Sequence, residues 1–195
     1  MNDHKNEMKE VKAKVANDIA KAKTDKGVII VLTGDGKGKS SSGFGMVLRC
    51  LGHGMKAGVV QFIKGQWKTG EMLFCEKHPD VEYFSMGEGF TWDTQDKQGD
   101  IERTKECWER AKKMIADPSI HYVLIDELNV VTSFGYLDPT EVVSALRSKP
   151  DNKHVVITGR GADKSILELA DTVSLVESPK HAFDNGIKAQ KGIEF

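Results

Sequence analysis

Val28-Ile29-Ile30-Val31-Leu32-Thr33-Gly34-Asp35-Gly36-Lys37-Gly38-Lys39-Ser40-Ser41 is an apolar run delivered straight into a turn of glycines and lysines. It reads as a β-strand entering a phosphate-binding loop. Glycines let the backbone wrap tightly enough for successive N–H groups to face phosphate oxygens. Lys39 is placed to reach the phosphates, and the Ser40 hydroxyl is placed to hold a magnesium ion. A helix starting near Ser41 aims the positive end of its dipole at the same anion. The usual pattern begins with glycine where this chain has Thr33; Gly34 and Gly36 lie inside the loop instead, and Lys37 adds a second cation. A plain glycine-rich turn is the bland alternative. The apolar strand before it and Gly-Lys-Ser at its end favour binding of a nucleoside polyphosphate.

From Gly27 onward, strand-like and helix-like runs alternate. The strands are expected at 28–33, 57–63, 81–86, 121–126, 155–158 and 172–176, and the helices at 41–51, 71–77, 101–116, 139–147 and 164–169. Several strands are apolar throughout, as parallel strands buried on both faces are. Such alternation predicts an α/β fold of the P-loop NTPase (RecA-like) type, a parallel sheet flanked by helices on both faces. Residues 1–26 differ: they are rich in Lys, Asp, Glu and Ala and contain no glycine. Met8, Val11, Val15, Ile19 and Ala22 recur at helical steps and make a thin apolar stripe. The expected organisation is therefore an N-terminal helical arm, 1–26, and an α/β domain, 27–195. The arm reads either as solvated or as docked on this domain or a partner subunit.

The chain has 195 residues, 39% of them hydrophobic, with 19 glycines besides. That suits one domain with a sizeable core. A net charge of −1 argues against a nucleic-acid partner. No apolar stretch has the length of a membrane span, and the N-terminus carries no signal-peptide region, so no membrane association and a cytoplasmic location are expected. Cys50, Cys75 and Cys107 form no close pair, which points to a reducing compartment and to thiols that act as small buried hydrophobes.

Tyr122-Val123-Leu124-Ile125-Asp126-Glu127 is a second apolar strand, ending in two carboxylates. An acid at this point completes the magnesium site of P-loop proteins. Gly87-Glu88-Gly89-Phe90-Thr91-Trp92 sets two large aromatics in a glycine-flanked loop. They read either as core residues folded under the loop or as an apolar wall for a large ligand.

Several segments together carry a resemblance. Gly34-Asp35-Gly36-Lys37-Gly38-Lys39, Val59-Val60-Gln61-Phe62-Ile63-Lys64-Gly65, Gly89-Phe90-Thr91-Trp92, Asp126-Glu127-Leu128, Ile157-Thr158-Gly159-Arg160-Gly161 and Lys180-His181-Ala182-Phe183 resemble, in order, the ATP:corrinoid (cob(I)alamin) adenosyltransferases. The resemblance implies transfer of the 5′-deoxyadenosyl group of ATP to the reduced cobalt of a corrinoid, cobalamin or cobinamide, with release of triphosphate. It implies Mg2+ (or Mn2+) as cofactor, a homodimer in which the N-terminal helix covers the partner's corrinoid site, and a flavodoxin-type reductant. Carried over by position, Gly34 to Ser41 and Arg160 contact ATP, and Ser40 and Glu127 hold the metal with Asp126 in support. Phe90 and Trp92 sit against the corrin, with His181 nearby, and Lys39, Phe90 and Trp92 serve catalysis. Ser40-Ser41 replaces the usual Thr-Thr, and Asp35 stands where some relatives have Asn. The competing readings are a RecA-like ATPase or kinase, which releases ADP rather than triphosphate, and a nucleotide-binding regulatory module without turnover.

Overall fold

The computed structural model describes residues 2–63, 68–86 and 96–195. Six parallel strands form one sheet: β1 (Ile29–Thr33), β2 (Lys56–Gln61), β3 (Val81–Ser85), β4 (Ile120–Asp126), β5 (His154–Thr158) and β6 (Thr172–Leu175). Their spatial order is β3-β2-β4-β5-β1-β6. The register sets Gln61 beside Asp126, Ile125 beside Ile157, and Leu32 beside Thr158. All strands point the same way, so their carboxyl ends form one edge, where ligands of such sheets gather. The residues singled out at the ends of β1 and β4 thus share that edge.

Both faces of the sheet are apolar because both are covered. Successive β4 residues alternate sides: Val123 and Ile125 face one core, Tyr122 and Leu124 the other. The first core is closed by α4 (Lys97–Ala116), α5 (Leu128–Ser133), α6 (Pro139–Arg147) and α7 (Lys164–Leu169), through Trp108, Leu128, Leu146 and Ile166. The second is closed by α2 (Lys39–Gly52) and α3 (Gly70–Cys75), through Phe44, Val47 and Cys75. All three cysteines are buried free thiols. Burial pushes the Cys75 thiol up to about 11 and that of Cys107 to about 12. Asp138 and Asp163 cap α6 and α7 with their side chains, which is why those helices start where the sequence places them.

Most expected boundaries shift by a residue or two, and four differences are larger or have a clear local cause. Helix α2 begins at Lys39 instead of Ser41, because the left-handed Gly38 ends the loop. Helix α4 begins at Lys97, four residues before Ile101, because the Asp96 side chain caps the Gly99 N–H. Strand β2 ends at Gln61 rather than Ile63. Helix α5 is absent from the sequence reading; it is one short turn-and-a-half that follows a left-handed Glu127 (φ 61°), a start that no helix-capping pattern signals.

Helix α1 (Asn2–Lys21) is the stripe-bearing segment, and it stands off the domain. Residues 4–26 are all exposed, including Met8, Val11, Val15 and Ile19 at 49–68%. An apolar stripe left in water adds nothing to this core. The chain joins the domain where Lys26 pairs with Asp171 at 2.5 Å and the Gly27 N–H meets the Asp151 carbonyl. Among the described residues no helix is long and apolar enough to cross a membrane.

Candidate phosphate and metal site

The loop after β1 is braced by the segment after β6. The Val176 N–H donates to the Thr33 carbonyl at 2.8 Å, and the Gly36 N–H donates to the Val176 carbonyl at 2.7 Å. A Cβ at Gly36 would lie 2.2 Å from the Glu177 carbonyl oxygen, so only glycine passes there. Gly38, at φ 118°, turns the chain into α2 and supplies no side-chain cap. The first N–H groups of that helix therefore remain open to an anion. Ser40 lies in that first turn, half-buried, and Ser41 is exposed.

Lys39 is buried, and its Nζ donates to the Gly36 carbonyl at 2.6 Å. Burial lowers its pKa, an effect opposed chiefly by Glu127. Glu127 carries the complementary perturbation. Burial and then the neighbouring Asp126 push its carboxyl up from 4.5 to about 7, against the pull of Lys39 and Arg160. Among the described residues no hydrogen bond contributes to holding the Glu127 charge. Its backbone is the only non-glycine left-handed one among the described residues. Such strain, of order 1–3 kcal/mol, persists where surrounding contacts dictate it, commonly at functional sites.

Asp126 is differently placed. It is 2% exposed and accepts from Gln61 Nε2 at 2.9 Å and from Thr158 Oγ1 at 2.6 Å. Thr158 Oγ1 in turn accepts the Glu127 N–H at 3.0 Å. Asp126 is thus held from both sides, whereas Glu127 offers free carboxylate oxygens to the cavity.

That cavity has a volume of about 740 Å³ and lies along the carboxyl edge of the sheet. It brings together the phosphate loop, Lys39, Ser40, the acid pair, Arg160 and His181. Phe90 and Trp92 fall outside the described residues. Arg160 Nε lies 3.7 Å from Asp35 Oδ1, and an Arg160 NH2 group donates to the Asp35 carbonyl at 3.2 Å. The Asp35 side chain is 85% exposed. It meets Arg160 and solvent. Lys37 pairs with Glu194 at 2.6 Å, so the C-terminal segment reaches the loop.

The donor set fits a hard divalent cation. Glu127 and Ser40 offer oxygen ligands to one cavity, and Lys39 and Arg160 offset the Glu127 charge only in part. Three participants went unmarked in the sequence as site residues: Gln61, Thr158 and Glu194. The first two are polar residues closing apolar strands at the ligand edge, a signal that was readable. Glu194 carries none, since its contact is 157 positions away along the chain.

The ATP:corrinoid adenosyltransferase BtuR/CobO/CobP family model matches residues 25–195. A corrinoid adenosyltransferase of Pseudomonas aeruginosa is 51% identical over 193 residues, covering 98% of this chain and 95% of that protein. One from Escherichia coli K12 is 51% identical over 185 residues, covering 95% and 94%. The corrinoid adenosyltransferase CobA of Salmonella typhimurium is 47% identical over the same length and coverage. Together with a phosphate loop, an acid pair and a parallel sheet in the arrangement just described, these matches show that the chain belongs to the ATP:corrinoid adenosyltransferase BtuR/CobO/CobP family.

Proposed function

We propose that this transferase moves the 5′-deoxyadenosyl group of ATP onto the reduced cobalt of a corrinoid, cobalamin or cobinamide. The observation that carries the reading is that Lys39 and Glu127 line one cavity beside the phosphate loop, in a chain of this family. The cobalt is the nucleophile and the 5′ carbon of the ribose is the electrophile. The cobalt–carbon bond forms as the bond from that carbon to the triphosphate oxygen breaks, and triphosphate leaves with the electron pair. The protein has no water or hydroxyl to activate. It holds the reacting atoms in line and neutralises charge that grows on the leaving group.

Lys39, the loop N–H groups and Arg160 serve that second task. Lys39 begins the reaction folded onto the Gly36 carbonyl and exchanges that contact for a phosphate oxygen. Glu127 and Ser40 would hold Mg2+ (or Mn2+), with Asp126 in support. The ion supplies positive charge against the triphosphate. The same charge favours the ionised form of Glu127, whose proton is otherwise retained up to about pH 7.

The family resemblance gives Phe90 and Trp92 the role of an apolar wall against the corrin that would keep a lower axial ligand from cobalt and so make the metal easier to reduce. His181 belongs to the corrinoid side of the same cavity. The exposed stripe of α1 suits a homodimer in which each arm covers the partner's corrinoid site. A flavodoxin-type donor supplies the electrons, and the cytoplasm is the compartment of action.

The test is a mixture of protein, MgATP and chemically reduced cobalamin. Adenosylcobalamin and triphosphate are expected in equal amounts. ADP as the product would instead favour an ATPase or kinase, and binding without turnover a regulatory module.

A further inference from the structure

Tyr83, Gln61, Asp126 and Thr158 come from four adjacent strands, β3, β2, β4 and β5. Their side chains form one unbroken row along the carboxyl edge. The Tyr83 hydroxyl donates to Gln61 Oε1. Gln61 Nε2 donates to Asp126 Oδ2 at 2.9 Å, and Thr158 Oγ1 donates to Asp126 Oδ1 at 2.6 Å. The row ends where Thr158 Oγ1 accepts the backbone N–H of Glu127 at 3.0 Å. Gln61, Asp126 and Thr158 are 8%, 2% and 0% exposed.

The direction of the row is dictated by its chemistry. A carboxylate only accepts, so Gln61 must turn its amide nitrogen to Asp126 and its carbonyl to Tyr83. Among the described residues, the donor offered to that carbonyl is the phenol. Burial pushes the Tyr83 hydroxyl up to about 12, so it keeps its proton throughout the neutral range. With both oxygens engaged, Asp126 fixes the Thr158 hydroxyl, whose lone pair is thereby aimed at Glu127. That last bond holds Glu127 in its left-handed conformation, which an isolated glutamate would leave.

We propose that Tyr83, Gln61 and Thr158 are positioning residues that act as one unit to set the Glu127 carboxylate for the transfer reaction. Gln61, Asp126 and Glu127 line the cavity beside the phosphate loop, with Tyr83 and Thr158 at the two ends of the row. The proposal rests on the reading of Glu127 as part of the reacting site.

A double-mutant cycle tests it. Tyr83→Phe deletes the terminal donor with little change of shape. Thr158→Val deletes the hydroxyl next to Glu127. Each is expected to lower kcat roughly three- to tenfold, the effect of one buried hydrogen bond, with KM for ATP and corrinoid within about twofold. If the row is one unit, the double variant is no slower than the slower single variant, within about twofold. Thr158→Ser restores the hydroxyl and is expected to recover most of the rate. Thermal unfolding of each variant reports whether the fold is kept; if Thr158→Val does not fold, Thr158→Ala takes its place in the cycle. Effects that multiply, or a Tyr83→Phe rate within about 1.5-fold of the parent, overturn the proposal. Glu127→Gln separates the two levels. If it leaves turnover unchanged, the reading of the site fails; if it impairs turnover while the cycle multiplies, only the row fails.

Discussion

Replacing Glu127 by Gln is expected to stabilise the ligand-free protein at alkaline pH while impairing the enzyme. Burial and Asp126 raise the Glu127 carboxyl from 4.5 to about 7. A carboxyl raised in the folded state makes its full contribution to stability below 4.5, and that contribution is lost as pH rises toward 7. At about 1.4 kcal/mol per pH unit, the ionised group costs about 3 kcal/mol above pH 7. Gln keeps the size and the left-handed backbone, so cavity and strain effects cancel between the two proteins. Urea unfolding at about pH 5 and about pH 8 should show a Gln variant favoured by up to about 3 kcal/mol at the higher pH and by much less at the lower. Adding MgATP should reverse the order, because the cation compensates the parent carboxylate and finds one ligand fewer in the variant. A higher magnesium requirement for turnover should accompany that reversal. A stability difference independent of pH, together with an unchanged magnesium titration, would refute the reasoning.

Four further outcomes follow from the structure. Lys39→Ala should lower kcat on the order of 10²-fold or more, because the lost charge acts on the departing triphosphate; steady-state rates within a few-fold of the parent would remove Lys39 from the phosphate site. Glu194→Gln frees Lys37 from its 2.6 Å pair and should tighten ATP binding about two- to threefold at low ionic strength, an advantage that fades in a salt titration. Deleting residues 1–26 should leave circular dichroism of the domain and ATP affinity intact while weakening corrinoid binding and slowing turnover, since residues 4–26 are all exposed; equal corrinoid affinity and rate in the two proteins would make the arm a solvated appendage. Lys153→Met should cost about 2 kcal/mol or more in urea unfolding, because the buried Lys153 ammonium serves the carbonyls of Asp117 and Ile120, which Met leaves unpaired.

The sequence by itself determined the elements and the loop between them. Apolar runs such as Val28–Leu32 and Tyr122–Ile125 announce buried parallel strands, and the closely spaced glycines before Lys39 announce the phosphate loop. Each of these signals is written in consecutive residues, where strand periodicity and turn chemistry act. That Asp126 and Glu127 lie at the ligand edge also follows from sequence order, once the sheet is parallel. What only the tertiary structure decided is how the two acids differ. Asp126 is enclosed by Gln61 and Thr158, 65 and 32 positions away, while the Glu127 carboxyl, desolvated beside Asp126, is pushed up to about 7. The same holds for Asp35, which meets Arg160 across 125 positions, and for Lys37, which meets Glu194 across 157. The helical stripe of residues 8–19 was legible as a pattern, but only the fold shows that the domain's own core is complete without it. Burial and long-range pairing depend on which strands become neighbours, and no local run of residues encodes that.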